Sequence, residues 1–307
     1  MRLLITGASG LFGSKLAEIA ITKNYEVYSG YNQEKPAFGA PIHFNILDEN
    51  RVEEVFKELN PTIVVHAASL TNVDKCETNK TLAWKINVEG TSHIAIATKR
   101  NYAFLVYIST DYIFNGEVGQ YTETDSPDPI NYYGLTKLRA EDVIKDIMDD
   151  YCIARTSVIY GSTPAADKVN FALWLLDRLR RNEQAKVVTD QWNSPTLNTN
   201  LAAMTLEIIE RKLTGTFNLS GATRISRYDF SRKLAQTFNL DESLIIPRTS
   251  AELSWVAKRP RDSSLNISKA QQTLRSKPLH VHEALEELKL ELARKTGNHE
   301  TPLPDNI

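Results

Sequence analysis

Leu3-Leu4-Ile5-Thr6-Gly7-Ala8-Ser9-Gly10-Leu11-Phe12-Gly13 decides the fold. An apolar run leads directly into a glycine turn, and the turn leads directly into Phe12–Lys23, where apolar residues recur at helical spacing. Strand, glycine turn and helix in that order let backbone N–H groups and a helix N-terminus approach a pyrophosphate, whose charge the helix dipole favours. The glycines are spaced GxxGxxG rather than GxGxxG. A merely structural turn that uses glycine for positive φ is the competing reading. The strand before it and the helix after it weigh against that.

Working outward, short apolar runs keep alternating with amphipathic segments through the first half of the chain. Strands are expected at Leu3–Thr6, Glu26–Tyr31, Thr62–Ala67, Phe104–Ser109, Tyr151–Thr156 and Lys186–Val188. Helices are expected at Phe12–Lys23, Arg51–Leu59, Leu82–Arg100 and Tyr133–Met148. Such alternation predicts βαβ units and an α/β fold with a doubly wound parallel sheet. After Gly161 the texture changes to a helix at Asn170–Asn182, a polar loop with prolines, and a Ser-capped helix at Ser226–Phe238. Residues 1–160 therefore read as a nucleotide-binding Rossmann domain that regains elements near 190–211, and 161–307 as a smaller, interleaved α/β substrate domain. Thr296–Ile307 is polar with two prolines and is expected to fray.

Composition removes several classes of function. The 307 residues are 42% hydrophobic and 24% charged, as in an ordinary globular chain and unlike a disordered, collagenous or coiled-coil one. A formal net charge of −2 offers no basic excess for nucleic acid, and Arg178, Arg180 and Arg181 read as a solvated helix face. The two cysteines, Cys76 and Cys152, are too few for a disulfide framework and have no zinc spacing, which suits a reducing cytosol. No run approaches the ~18–20 apolar residues of a membrane span. No His/Asp/Glu spacing predicts a catalytic metal.

Tyr133-Gly134-Leu135-Thr136-Lys137 puts a phenol and an ammonium four residues apart at the start of a helix, on one face. A cation within ~4 Å at an effective dielectric of ~20 is worth about 4 kcal/mol, enough to bring a phenol of pKa ~10 toward neutrality. The apolar strand Leu105–Ile108 ends in Ser109-Thr110-Asp111, so Thr110 stands at a strand's C-terminal end, where ligands bind in such sheets. Thr110, Tyr133 and Lys137 are thus the catalytic candidates for hydride exchange between a carbonyl and an alcohol. YxxxK alone is common by chance. Its conjunction with the glycine turn and the strand-end hydroxyl is far more specific. Tyr132 is five residues from Lys137 and points away. The end of the second strand, Tyr31-Asn32-Gln33-Glu34-Lys35, has no acid on the strand for an NAD ribose, while Asn32 and Lys35 suit a 2′-phosphate. NADP(H) is therefore preferred, with NAD(H) second.

The chain resembles the extended short-chain dehydrogenases/reductases, and within them the dTDP-4-dehydrorhamnose reductases. Besides Gly7–Gly13 and Tyr133–Lys137, the matching segments are His66–Lys75, Ser109–Gly116, Arg155–Gly161, Asp190–Thr196 and Arg259–Leu265. The resemblance implies NADPH-dependent reduction of the C4 ketone of a nucleotide-linked 6-deoxyhexose. It implies cofactor contacts from Gly7, Ser9, Gly10, Leu11, Phe12, Gly13, Asn45, Ile46, Ala67, Ala68, Ser69, Tyr133 and Lys137, with Lys137 on the nicotinamide ribose. It implies substrate contacts from Thr71, Val73, Asp111, Gln191 and Arg259. The paired helices resemble dimer helices of the superfamily, which implies a homodimer.

Two other readings come from the same fold. One resembles the regulatory β subunit of methionine adenosyltransferase, a binding partner rather than a catalyst; the other is a nucleotide-sugar epimerase or dehydratase. Thr110 is followed by Asp111-Tyr112, without the acid pair a dehydratase carries. His66 and His93 read as hydrogen-bonded in place, Trp84, Trp174 and Trp255 as core or lobe-interface packing, and Asp74 and Glu77 as a solvated helix start.

Overall fold

The computed structural model describes residues 1–164 and 169–296, so the fraying expected beyond residue 296 lies outside the described residues. Strands in chain order are β1 Arg2–Thr6, β2 Glu26–Tyr31, β3 Ala40–His43, β4 Ile63–His66, β5 Phe104–Thr110, β6 Tyr151–Thr156, β7 Ile159–Tyr160, β8 Ala185–Val188, β9 Trp192–Asn193, β10 Thr196–Leu197, β11 Gly215–Asn218, β12 Ile225–Ser226 and β13 Ile245–Arg248. The α-helices are α1 Leu11–Thr22, α2 Glu49–Leu59, α3 Val73–Thr78, α4 Lys80–Trp84, α5 Gly90–Arg100, α6 Tyr132–Ile147, α7 Phe171–Arg180, α8 Asn198–Arg211, α9 Arg227–Thr237, α10 Ser268–Thr273 and α11 Val281–Thr296.

Seven parallel strands form one sheet in the order β11-β6-β5-β4-β1-β2-β3. The order reverses between β1 and β4, and a crevice for a ligand opens at such a reversal, beyond the carboxyl ends of the strands. Alternation along each strand sends side chains to two cores. Leu3, Ile5, Val65, Val106 and Ile108 meet Phe12 and Leu16 of α1 and Leu201, Met204 and Ile208 of α8. Leu4, Val64, Leu105, Tyr107 and Ile153 meet α2, α5 and α6 through Val55, Phe56, Ile94, Ala140 and Ile144. Each fully buried aliphatic side chain contributes roughly 1.5–3 kcal/mol, so both faces are strongly held.

Five of the six expected strands lie in this sheet. Lys186–Val188 does not: β8 pairs in parallel with β13 in a separate two-stranded sheet. The seventh place is taken by β11, and β3 closes the opposite edge. Both are four-residue edge strands, and Ala40-Pro41-Ile42-His43 contains a proline, which an edge tolerates. A third core gathers Leu173, Leu176, Phe230, Leu234, Ile245, Leu285 and Leu288 around α7, α9 and α11. The expected Ser226 cap holds there, accepting from Asp229 N at 2.9 Å, and Asn170 caps α7 in the same way, accepting from Leu173 N at 3.2 Å.

The expected helix Leu82–Arg100 is broken. A π-turn at Lys85–Glu89 separates α4 from α5. Gly90 follows it because a Cβ there would stand 2.7 Å from Ile46 Cδ1. An added residue in a helix re-aims its neighbours, and such turns concentrate at functional sites.

Candidate active site

The glycine turn forms a cradle at the reversal point. Gly7 has φ +69°, and a Cβ on it would lie 2.7 Å from Ala68 N; one on Gly13 would lie 2.4 Å from Gly7 O. Only hydrogen fits at either place, so the turn seats tightly against the loop after β4 and α1 springs from directly above it. Gly10 caps α1 without a side-chain hydrogen bond, so the first-turn N–H groups face the crevice with no capping side chain. This is the donor set that a pyrophosphate needs, and the cradle fits a dinucleotide. Ala67, Ala68 and Ser69 border it at the end of β4, and Thr6 Oγ1 accepts from Ala68 N at 3.3 Å. Asn32 and Lys35 are exposed beyond β2, with His43 Nε2 3.1 Å from Asn32 O. Asn45 is exposed and braces its own loop by accepting from Leu47 N at 3.0 Å, while Ile46 is buried beside Gly90.

Thr110 ends β5, and Tyr133 and Lys137 rise beside it on α6. Asn131 caps α6 by accepting from Gly134 N at 2.8 Å, and Glu77 Oε2 accepts from Tyr132 N at 2.9 Å. A Cβ on Gly134 would be 2.0 Å from Tyr112 O, so glycine is what lets α6 close onto the turn after Thr110. The Thr110 hydroxyl donates to Asp111 Oδ1 at 3.0 Å and lies near enough to the Tyr133 phenol to act on its pKa. Lys137 is 3% exposed; its Nζ donates to Ile108 O at 2.7 Å and sits 4.1 Å from the Tyr107 ring centroid. Tyr132 turns elsewhere, its ring under Lys80 Nζ at 5.3 Å, as its spacing implied.

One electrostatic expectation is corrected here. Burial, opposed by the neighbouring Thr110 hydroxyl, raises the Tyr133 phenol above its ordinary range. The ammonium meant to lower it is committed to Ile108 O. Lys137 itself is brought down to about 7, by burial first, with Glu141 working against that fall.

Sequence reasoning missed the brace behind these groups. Asn87, on the π-turn, accepts from Ser69 Oγ at 2.9 Å and Leu70 N at 2.7 Å, and donates to Thr136 Oγ1 at 3.0 Å. It clamps the β4 loop to α6. His66 lies fully buried between Thr6 Oγ1 at 2.6 Å and Thr91 Oγ1 at 3.0 Å, and its pKa falls to about 3 through burial and then the Lys137 charge. His93 is held 2.9 Å from Ile46 O, so both histidines are fixed in place as expected. The interruption of a regular helix is visible only in three dimensions, and no local signal marked Asn87.

On the other side of Tyr133 a cleft of about 230 Å³ is lined by Tyr112, Phe171, Lys186, Val187, Val188, Gln191, Arg227, Leu253, Trp255 and Arg259. The Tyr112 and Tyr133 rings, 6.1 Å apart edge to face, join it to Thr110, Tyr133 and Lys137. Gln191 and Arg259 are therefore brought together, whereas Asp111 is set beneath the site. Asp111 is 2% exposed and accepts from Thr110 Oγ1 at 3.0 Å, Ser157 Oγ at 2.7 Å and Ser263 Oγ at 2.5 Å. It anchors the turn. Thr71 is exposed and Val73 half-buried at the start of α3, at the mouth of the β4 loop.

Three other expectations change. Asp74 is no solvated helix start: it binds Arg259 NH1 at 3.0 Å and Ala257 N at 2.9 Å, which hold its carboxyl below the usual range. Glu77 caps α6. Trp84 is 36% exposed instead of packed in a core, while Trp174 packs on the third core and Trp255 faces the cleft. Arg227, which the sequence did not single out, faces the cleft too. Its Nε is buried without a hydrogen-bond partner, a loss of about 1–3 kcal/mol for a desolvated donor.

Compared with known proteins, residues 1–293 match the family model described as RmlD substrate binding domain. The chain belongs to this family. Among RmlD relatives, the "probable low-salt glycan biosynthesis reductase" of Haloferax volcanii is 34% identical over 272 residues, 87% of this chain and 90% of that one. Methionine adenosyltransferase 2 subunit beta of Bos taurus is 30% identical over 275 residues, 87% of this chain and 81% of that one. The crystal structure of dTDP-4-dehydrorhamnose reductase from Bacillus anthracis in complex with NADP matches with a TM-score of 0.86 and 31% identity, covering 94% of this chain and 99% of that one. The seven-stranded Rossmann-like α/β sheet is thus the RmlD scaffold. Among the described residues no helix is long and apolar enough to cross a membrane.

Proposed function

We propose that the chain is an NADPH-dependent reductase acting on the C4 ketone of a nucleoside-diphosphate 4-keto-6-deoxyhexose, with the dTDP-linked precursor of L-rhamnose as the first candidate. One observation carries this reading: in an RmlD-family chain, Thr110, Tyr133 and Lys137 stand together at the C-terminal end of β5, between the glycine cradle and a cleft lined by aromatic side chains and by Gln191, Arg227 and Arg259. When bound, the nicotinamide supplies the hydride.

The chain's own groups do the rest. Gly7, Ser9, Gly10 and the α1 N-terminus, with Leu11, Phe12 and Gly13, would hold the pyrophosphate. Ala67, Ala68 and Ser69 would flank the ribose side, with Asn45 and Ile46 near the adenine and Asn32 and Lys35 near a 2′-phosphate. Lys137, fixed by Ile108 O, would present its ammonium to the nicotinamide ribose. Tyr133, held neutral by burial, is in the form a reductase needs: a phenol that keeps its proton until an alkoxide, a stronger base, takes it. On substrate binding the Thr110 hydroxyl would turn from Asp111 to join Tyr133 in polarising the reacting oxygen before that transfer. Gln191 and Arg259 would contact the sugar nucleotide, with Thr71 and Val73 at its mouth.

The similarity to methionine adenosyltransferase β subunits favours a second reading, a nucleotide-binding regulatory subunit. Steady NADPH oxidation with dTDP-, UDP- and GDP-linked 4-keto-6-deoxyhexoses separates the two: turnover with one of them supports the reductase, and binding of NADPH with no turnover on any supports the regulatory subunit. A cytoplasmic location follows from the reductase reading and the two buried cysteines. A homodimer through the α5 and α6 face, beside the half-exposed Trp84, is the matching assembly, and its mass in solution tests it.

A further inference from the structure

Arg227 opens α9 and its backbone N–H donates to Gln191 O at 3.1 Å, which ties the first residue of the helix to the wall of the cleft. Its side chain turns inward, the guanidinium carbon 5.2 Å from the Phe171 ring centroid, and it lines the cleft together with Tyr112, where its positive charge opposes the rise that burial gives the Tyr112 phenol. The buried Nε has no partner. Among the described residues no carboxylate pairs with Arg227. The neighbouring arginines are differently placed. Arg259 is bound to Asp74 at 3.0 Å, Arg224 to Asp262 at 2.6 Å, and Arg261 is exposed against Trp192 at 5.8 Å, away from the cleft lining.

A guanidinium with an unused donor and no counter-charge, seated against an aromatic face at the first residue of a helix, is prepared for a planar or tetrahedral oxyanion. Tyr112, which lines the cleft beside it, is also the residue that meets Tyr133. An anion on Arg227 would thus lie one side chain from the reacting end of the cleft, the separation expected between the ketone-bearing sugar and its diphosphate.

We propose that Arg227 is the principal anchor for the substrate's diphosphate, and that Arg259, paired with Asp74, mainly holds the Trp255–Arg261 segment over the cleft. This inference rests on the nucleotide-sugar reading given above. It assigns the anion to a residue outside the Arg259–Leu265 segment through which the sequence drew attention to the substrate.

Calorimetric titration of the full chain with dTDP, UDP and GDP tests it without recourse to turnover. The wild type is expected to bind at least one of them. Arg227→Met should weaken that binding about 100-fold and Arg227→Lys, which keeps the charge but loses the fork, about 10-fold. NADPH affinity should stay as in the wild type for both, which reports an intact fold; if Arg227→Met loses it, Arg227→Lys decides. Equal binding of the nucleoside diphosphate by a folded Arg227 variant and the wild type would overturn the inference and leave the reductase reading standing. Failure of the wild type to bind any of the three would remove the nucleotide-sugar reading and the inference with it.

Discussion

Lys137 Nζ donates to the backbone carbonyl of Ile108 at 2.7 Å, so α6 is fastened to β5 by the ammonium proposed to meet the nicotinamide ribose. Burial brings this group to about 7, which makes its charge a function of pH near neutrality. If the ammonium form is the active one, kcat/KM is constant below that value and falls as pH rises through it, because the lost proton is the positive charge. Lys137→Arg, always charged, should remove that alkaline limb while lowering activity overall. A wild-type profile still flat well above neutrality would contradict the assignment.

Tyr133→Phe keeps the ring and its contact with Tyr112 and deletes only the hydroxyl. The expected loss in kcat is about 10²–10⁴, with NADPH affinity nearly unchanged, since the proton is needed in the transition state and not for binding. Single-turnover reduction followed at the nicotinamide absorbance measures it. Near-normal turnover would pass the proton donor's role to another group.

His66 gives a stability prediction. Its pKa is near 3 in the folded chain against 6.5 when exposed, so between those values the unfolded state binds the extra proton. Stability should therefore fall as pH drops from about 6.5 toward 3, by up to ~1.4 kcal/mol per unit from this residue. Urea denaturation at pH 7 and 5 reads the slope, and His66→Gln should flatten it. An unchanged slope in that variant would show that other groups carry the acid sensitivity.

Cofactor preference follows from the end of β2, where Asn32 and Lys35 are exposed and no carboxylate ends the strand. NADPH should bind more tightly than NADH, but modestly, because a mobile lysine is a poorer phosphate clamp than a bidentate arginine. Lys35→Ala should erase most of the difference in fluorescence titrations. Tighter binding of NADH by the wild type would contradict this reading.

What the sequence revealed divides along physical lines. The glycine turn, the five central strands and the Tyr133–Lys137 pair were legible because each rests on local spacing: strand period, helix period, or the need for hydrogen at a close approach. The edge strands β3 and β11 were not, being four residues long with little burial pattern to announce them. Lys186–Val188 read correctly as a strand but not in its sheet, since partner choice depends on residues far along the chain. Asn87, Asp74 and Arg227 acquire meaning only from their neighbours in space: Thr136 for the first, Arg259 for the second, Tyr112 and Phe171 for the third. The pKa of Tyr133 was misread for the same reason. Spacing placed Lys137 beside it, but only the fold shows the ammonium bound to Ile108 and the phenol enclosed.

On the proposed reductase reading, hydride passes to the C4 carbon of a nucleotide-linked keto sugar beside Tyr133. The most direct measurement supplies NADPH deuterated at the transferring position with dTDP-4-keto-6-deoxyhexose and locates the label in the sugar product by mass spectrometry and NMR. One deuterium at C4 is expected for the wild type, and essentially none for Tyr133→Phe on the same time scale. Label absent from C4 with the dTDP, UDP and GDP substrates alike, from protein that binds NADPH, would contradict it.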